Sequence, residues 1–337
     1  MRFFKYFLVM VFILIAVFVI YPKLKASLHE IPLLFKEANK YLLFLLLGLQ
    51  GVVYLGDGWL SKLLLGMAGF PLRVKDTLKV AILGNLGNQA VPVTGGPAAT
   101  YYFYRKLNVS PEAIFFLVWT WFISVWGVNL FCFFVALFFL PGSILALIQQ
   151  KFFLIFLILF ILFLFMSFFL LRKQGKGLFL ILRPLLRLLN KIGSRFHRKN
   201  LVSFQRLERF VKGATEGLQF LWFHKSKLPK IFLASLIFYL GTIATLYFSF
   251  VVFDFQPNPF YVIFGFTVSS ILALLTFMPE APGIIEASLG GVFVVLGFPA
   301  HIALFATILF RIVSYWIFFP LGLHLFLASR RKKEYAK

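Results

Sequence analysis

Two carboxylates lie inside a long apolar stretch near the end of the chain, on either side of a Pro-Gly pair. The acids are Glu280 and Glu286, and the breaks beside them are Pro279, Pro282 and Gly283. Proline removes a backbone donor and clashes with the preceding turn, so an unbroken helix is not expected here. Carboxylates at membrane depth are costly and usually mark a substrate or ion pathway. The pattern therefore predicts a broken segment that carries a binding site within a bilayer.

A second charge of opposite sign follows this segment. Arg311 stands in the next apolar run, and an ion pair with Glu286 would reduce the insertion cost of both, at least about 2.5–3.5 kcal/mol for each unpaired charge. The pair could open for a zwitterionic or cationic headgroup, or it could only hold two helices together. Glu280 could face the same cavity or cap a helix end at its rim.

A similar break occurs in the first half of the chain. Three residues separate Pro92 from Gly96, and three residues separate Pro279 from Gly283; Gly95 adds a second glycine to the first copy. Helix ends exposed at such breaks attract anionic groups, and glycine lets a ligand approach the backbone closely. Paired Pro/Gly interruptions point to a transport site at the membrane midplane. Two unrelated kinks are the alternative.

Polar amides precede the first break. Asn85, Asn88 and Gln89 recur at helical spacing and share one helix face. They could bind a headgroup, or they could hydrogen-bond neighbouring helices. The spacing leaves both interpretations open.

The elements around these residues are membrane helices. Of the 337 residues 61% are hydrophobic, against about 45–50% in soluble domains. Apolar runs of span length recur throughout, so we expect an all-α polytopic membrane protein with about six full spans and two Pro/Gly-broken re-entrant hairpins. The predicted segments are 6–21, 41–56, 77–91, 113–140, 152–171, 231–253, 260–278, 284–297 and 302–328.

Charge and cysteine content exclude several other classes. The net charge of +23 is explained by basic cytoplasmic loops and anionic headgroups, so no nucleic-acid partner is expected. Cys132 is the single cysteine, which excludes a disulfide framework. The five histidines show no ligand spacing, and we predict neither a metal site nor a cofactor.

The distribution of basic residues predicts the topology. We expect a single membrane domain with a first half at 6–171, a basic cytoplasmic loop at 172–230, a second half at 231–329 and a basic cytoplasmic tail at 330–337. Counting spans places both termini in the cytoplasm. The two hairpins then enter from opposite faces, which is the arrangement of an inverted repeat.

One stretch of the basic loop has the pattern of an amphipathic helix. Arg183, Arg187 and Lys191 recur every four residues among leucines, although Pro184 would start or kink the helix. Such a face attaches to an anionic leaflet. It could also gather anionic lipids near an entry portal.

From about 10 to 330 the chain resembles the flippase-like transmembrane domain shared by lysylphosphatidylglycerol synthases and stand-alone inner-membrane proteins. The resemblance lies in Pro279 to Ala287, then Leu296-Gly297, and Arg311. The usual second glycine after Pro282-Gly283 is missing. The first motif, 92–96, also fits, but 97–100 reads Pro-Ala-Ala-Thr where many members carry Glu and a nearby Arg; Arg105 could substitute.

The resemblance implies a non-enzymatic role in moving polar or anionic lipid headgroups across the cytoplasmic membrane. The synthase domain is not expected, since membrane segments and one loop account for all 337 residues. The alternative is a scaffold for a separately encoded lipid-modifying synthase or glycosyltransferase. A membrane enzyme acting on lipid-linked substrates is disfavoured, because no His/Asp cluster, acidic metal pair or phosphate loop is present. Membrane lipids are the expected partners.

Overall fold

The computed structural model describes residues 40–90, 95–140, 162, 225–275 and 284–334, and the described elements are all helical. The first half contains α1 (Lys40–Met67), α2 (Val74–Ala90), α3 (Gly95–Lys106) and α4 (Pro111–Phe138). A short 3-10 turn, Lys225–Lys227, leads into α5 (Leu228–Val251), α6 (Pro259–Leu275) and α7 (Ile284–Val295). The chain continues through α8 (Ala300–Arg311), a π-helical segment at Ile312–Trp316, and α9 (Phe319–Glu334).

Four of the described helices are long and apolar enough to cross a membrane: α1, α4, α5 and the continuous run Ala300–Ser329. They correspond to the predicted segments 41–56, 113–140, 231–253 and 302–328. The first is longer than predicted, since α1 continues past Asp57 and Lys62 to Met67. The predicted segments 6–21 and 152–171 lie outside the described residues, apart from the single residue 162.

The two predicted hairpins are present as pairs of shorter helices. In the first, α2 packs along α3, and in the second, α6 packs along α7. The close packing of the first pair requires glycine at position 87, where a Cβ atom would overlap the Gly95 carbonyl. The connecting residues 91–94 and 276–283 lie outside the described part of the chain.

The long helices α1 and α5 cross at two glycines that make reciprocal contacts. A Cβ atom on Gly56 would lie 2.9 Å from the backbone nitrogen of Phe238, and one on Gly241 would lie 2.9 Å from Cγ2 of Val53. Each glycine thus faces a residue three positions before the other glycine. The contacts at this crossing are therefore reciprocal, as is expected where two copies of a repeat meet.

The helix ends repeat in the same order in both halves. After α1 and α3, Gly69 and Asn108 have positive φ values of 85° and 59°; after α5 and α7, Asp254 and Gly297 have values of 54° and 90°. In all four turns the following residue donates its N–H to the carbonyl five residues earlier, over 2.8–3.3 Å; the pairs are Phe70–Leu65, Val109–Tyr104, Phe255–Phe250 and Phe298–Phe293. These are Schellman closures, and each buries an apolar residue against its own helix.

The contacts between helices also follow the repeat. The first half packs α4 against α1, and the second packs α8 against α5. Across the interface, α4 contacts α6 while α9 contacts α2. The sequence prediction of an internal repeat is therefore present in the packing of the described helices. Whether the two copies are inverted across the bilayer depends on the residues between them and stays a prediction.

Candidate functional site

A cavity of about 490 Å³ lies at the interface of the two halves. Its wall includes residues from α1 to α8 and from the π-helical segment. More than half of its lining side chains can hydrogen-bond. The polar wall comprises Gln50, Tyr54, Asp57, Ser61, Asn85, Asn88, Thr100, Tyr104, Trp121, Trp126, Thr242, Ser269, Ser270, Arg311, Ser314 and Tyr315.

Arg311 is the cation of this wall, and it is held in a fixed orientation. Its Nε donates to Oε1 of Glu286 at 3.0 Å, and its Cζ lies 4.2 Å from the centre of the Tyr315 ring. The residue is 6% exposed, and its buried Nη2 has no hydrogen-bond partner among the residues that the structure describes. A buried guanidinium donor without a partner is costly, and an anionic oxygen in the cavity would satisfy it.

The π-helical segment follows Arg311 directly. Its carbonyls are contacted by amide side chains of the first half: Gln50 Nε2 donates to the Ser314 carbonyl at 3.4 Å, and Gln89 Nε2 donates to the Tyr315 carbonyl. In return, the Tyr315 hydroxyl donates to the Asn88 carbonyl at 3.1 Å. π-helical turns are frequent at functional sites. Here the turn joins the Arg311 helix to the first hairpin.

The three amides predicted on one face of α2 have different roles. Asn85 Nδ2 donates to the Tyr54 hydroxyl on α1. Asn88 Oδ1 accepts the N–H of Gly96 at 2.8 Å, which satisfies one of the free donors at the start of α3. Gln89 bonds the π-helical segment, and its buried Oε1 has no hydrogen-bond partner within the described part of the chain. Asn85, Asn88 and Gly96 line the cavity, whereas Gln89 does not.

Several other predicted site residues lie away from the cavity wall. Glu286 stands behind Arg311 and is not part of the lining, nor is Gly95. Arg105 bonds the Val109 carbonyl at 2.8 Å in the turn after α3, so the structure places it in a helix end and not beside the cavity. Predicted residues outside the described part of the chain are Pro92, Pro279, Glu280, Pro282, Gly283, Arg183, Arg187 and Lys191.

Asp57 is a charged residue of the cavity wall that the sequence patterns did not predict as part of the site. Its Oδ1 accepts the indole N–H of Trp121 at 2.6 Å, and Tyr54, Tyr104 and Trp126 share the same wall. The available signal was the sequence after residue 57: Trp59, Leu60 and the leucines at 63–65 continue the apolar run. Extending the first span through Asp57 would have placed this acid at membrane depth.

Comparisons with known proteins place this architecture in one family. The family model described as lysylphosphatidylglycerol synthase TM region matches residues 7–322. A UPF0104 membrane protein of Methanothermobacter thermautotrophicus is 29% identical over 127 residues, which cover 36% of this chain. The match spans 38% of that relative's own length, and no solved structure matches the chain. Since the family model covers nearly the whole sequence, the chain belongs to the family of the lysylphosphatidylglycerol synthase transmembrane region.

Proposed function

We propose that the protein moves lipid headgroups across the cytoplasmic membrane through the cavity between its two halves. The observation that carries this proposal is Arg311 at the cavity wall: Glu286 and Tyr315 hold its guanidinium, and its Nη2 has no hydrogen-bond partner among the described residues. A guanidinium suits the phosphate that phospholipid headgroups share. The acyl chains would remain in the bilayer while the headgroup crosses inside the protein.

The internal repeat supports movement rather than static binding. Repeats with interrupted helices around a midplane site are the usual architecture of transporters that expose a site alternately to each side. The described hairpins and the reciprocal crossing of Gly56 and Gly241 match that architecture. The proposal assigns the cavity residues to binding and orientation, and it assigns no bond-making step to the protein.

The test is lipid scrambling by the purified protein in liposomes. Lipids with a fluorescent acyl chain are distributed over both leaflets, and an impermeant reductant then removes the signal of every lipid that reaches the outside. We expect wild type to expose the inner-leaflet lipid and Arg311→Gln to slow this exposure at least about tenfold, the loss of a charge-assisted hydrogen bond. Arg105→Gln, which removes an arginine outside the cavity, should behave like wild type.

A second variant guards against misfolding of Arg311→Gln. Ser270→Phe places a ring in the cavity without changing a charge, since Ser270 is part of its wall. We expect it to block scrambling while Arg311 stays paired. If wild type exposes lipid no faster than empty liposomes, transport is ruled out; retention of headgroup binding under those conditions would favour the scaffold alternative.

The orientation of the halves is tested separately. We propose that both termini face the cytoplasm and that the hairpins enter from opposite sides, as the basic loops predict. In a Cys132→Ala background, single cysteines at Gln256 and Asn200 should react with an impermeant maleimide from opposite sides of the membrane. Labelling of both from the same side would contradict the inverted arrangement.

A further inference from the structure

We infer that Asp57 forms a second, anionic pole of the headgroup site, which binds an ammonium group, so that the ligand carries an ammonium group as well as a phosphate. This inference rests on the proposed headgroup site and names the class of headgroup that the site selects. It concerns a residue of the first half, whereas the phosphate contact, Arg311, belongs to the second.

The two carboxylates near the cavity differ in how they are neutralised. Glu286 is paired with Arg311 at 3.0 Å and lies behind the wall. Asp57 lies on the wall and accepts a hydrogen bond from the neutral indole of Trp121, and no cation among the described residues pairs with it. A carboxylate at this depth is costly without a counter-charge, so the cavity is suited to a ligand that brings one.

Aromatic side chains line the same part of the cavity. Tyr54 lies one helical turn before Asp57, and Tyr104, Trp121 and Trp126 are also on the wall. The Trp121 ring is fixed at both ends: its N–H bonds Asp57, and its face meets the Phe238 ring edge-on at 5.6 Å between centroids. A carboxylate beside tryptophan and tyrosine rings is the chemistry that recognises ammonium groups.

The internal repeat shows that the fold does not need an acid at this position. Asp57 follows the crossing glycine Gly56, and its counterpart after Gly241 is Thr242. Thr242 also lines the cavity, but its hydroxyl donates to the Phe238 carbonyl of its own helix at 2.9 Å. Because the same position in the other half is satisfied by a neutral residue, the carboxylate of Asp57 is available for a role other than packing.

Together, Asp57 and Arg311 give the cavity one anionic side chain, which can bind an ammonium group, and one cationic side chain, which can bind a phosphate. A headgroup with both charges satisfies both poles at once. An anionic headgroup without an amine satisfies only Arg311 and leaves Asp57 as a repulsive element, which excludes it in part.

The experiment compares two lipids that carry the same fluorescent acyl chain, phosphatidylethanolamine and phosphatidylglycerol, in the scrambling assay described above. We expect wild type to move the ethanolamine lipid about tenfold faster. Asp57→Asn should remove this preference by slowing the ethanolamine lipid, while the rate for phosphatidylglycerol stays unchanged or rises. Asp57→Glu should keep the preference.

Two control variants separate recognition from structure. Asp254→Asn removes an exposed acid in the turn after α5 and should keep the wild-type preference. Glu112→Gln removes an exposed acid in the first turn of α4, outside the cavity lining, and it should also keep the preference for the amine.

Three results have distinct meanings. Equal rates for the two lipids in wild type, or an unchanged preference in Asp57→Asn, would overturn the role of Asp57 in binding the ammonium group, while scrambling itself persists. Equal slowing of both lipids by Asp57→Asn, together with a dependence of the wild-type rate on a pH gradient, would make Asp57 a proton site and also overturn it. Absence of scrambling for both lipids in wild type would instead remove the proposed function.

Discussion

The two hairpins share a backbone plan but carry different chemistry. The first, α2–α3, has neutral amides that bond other parts of the protein: Asn85 to Tyr54, Asn88 to Gly96, and Gln89 to the Tyr315 carbonyl. The second, α6–α7, contributes a carboxylate, Glu286, whose partner is the guanidinium that faces the cavity. Repeated architecture therefore sets where the helices break, whereas the individual residues decide which hairpin fixes the structure and which hairpin carries charge.

The largest loss of stability is expected when one member of the Glu286–Arg311 ion pair is removed. Glu286→Gln leaves Arg311 buried without its counter-charge, and breaking a buried pair in this way costs about 3–5 kcal/mol. We expect the free energy of unfolding, measured by circular dichroism during denaturation of the protein in mixed micelles, to fall by about that amount.

A double variant shows how much of this loss of stability comes from leaving Arg311 buried without its counter-charge. Glu286→Gln with Arg311→Met removes both members, and it should be more stable than Glu286→Gln alone. If the two changes instead reduce stability additively, Glu286 and Arg311 are not coupled in the folded protein.

The crossing glycines should respond unequally although they are equivalent in the repeat. A Cβ atom on Gly56 meets backbone of Phe238, which cannot yield without moving α5, whereas one on Gly241 meets a methyl group of Val53. We expect Gly56→Ala to lower the free energy of unfolding by about 1–3 kcal/mol and Gly241→Ala by about 1 kcal/mol or less. Equal effects in the same assay would show that the helices shift freely at this crossing.

A smaller loss of stability is expected at Asn88, whose side-chain amide on α2 caps the start of α3. Asn88→Ala removes the acceptor for the Gly96 N–H, and we expect a loss of about 1–2 kcal/mol in unfolding free energy. Ser110→Ala removes the equivalent acceptor at the start of α4, where the Ser110 Oγ lies 3.2 Å from the Ala113 nitrogen. Its loss should be smaller, because the Ser110 hydrogen bond is longer than the Asn88 hydrogen bond, 3.2 Å against 2.8 Å; the reverse order would contradict the role given to Asn88.

The smallest effect is expected at Arg105, which sequence patterns favoured as a headgroup contact. Arg105→Gln should cost about 0.5–1.5 kcal/mol, the value of one hydrogen bond to the Val109 carbonyl. Its scrambling rate should equal that of wild type. A marked loss of scrambling with unchanged stability would return Arg105 to the substrate path.

Local patterns were sufficient to predict the hairpins and the acid-base pair. Pro/Gly interruptions fix where helices break, because they act on the backbone of neighbouring residues. The pairing of Glu286 with Arg311 follows from the cost of separate charges in an apolar setting. The same reasoning applies to Asn129, which accepts a hydrogen bond from Thr267 at 2.6 Å and joins α4 to α6.

The remaining features depend on contacts between distant parts of the chain. α1 continues past Asp57 because the helix is shielded there: Gly58 lies against Leu78, and the Thr77 hydroxyl donates to the Gly58 carbonyl at 2.7 Å. The π-helical turn after Arg311 has no local signature, and its carbonyls are contacted by Gln50 and Gln89 from more than 200 residues away. Such shielding cannot be deduced from one segment alone.

The reciprocal contacts of Gly56 and Gly241 have a consequence for the other conformations of the protein. If the two halves exchange conformations, the contacts at which they cross stay the same. Every other segment then adopts the conformation of its counterpart in the other half. The conformation seen here therefore defines a second one. In it, the first half has the helix bends of the second half, and the second half has those of the first. In the inverted arrangement proposed above, that counterpart would open the cavity to the opposite leaflet with no new structural element, so both ends of the proposed cycle would follow from the differences between the two copies.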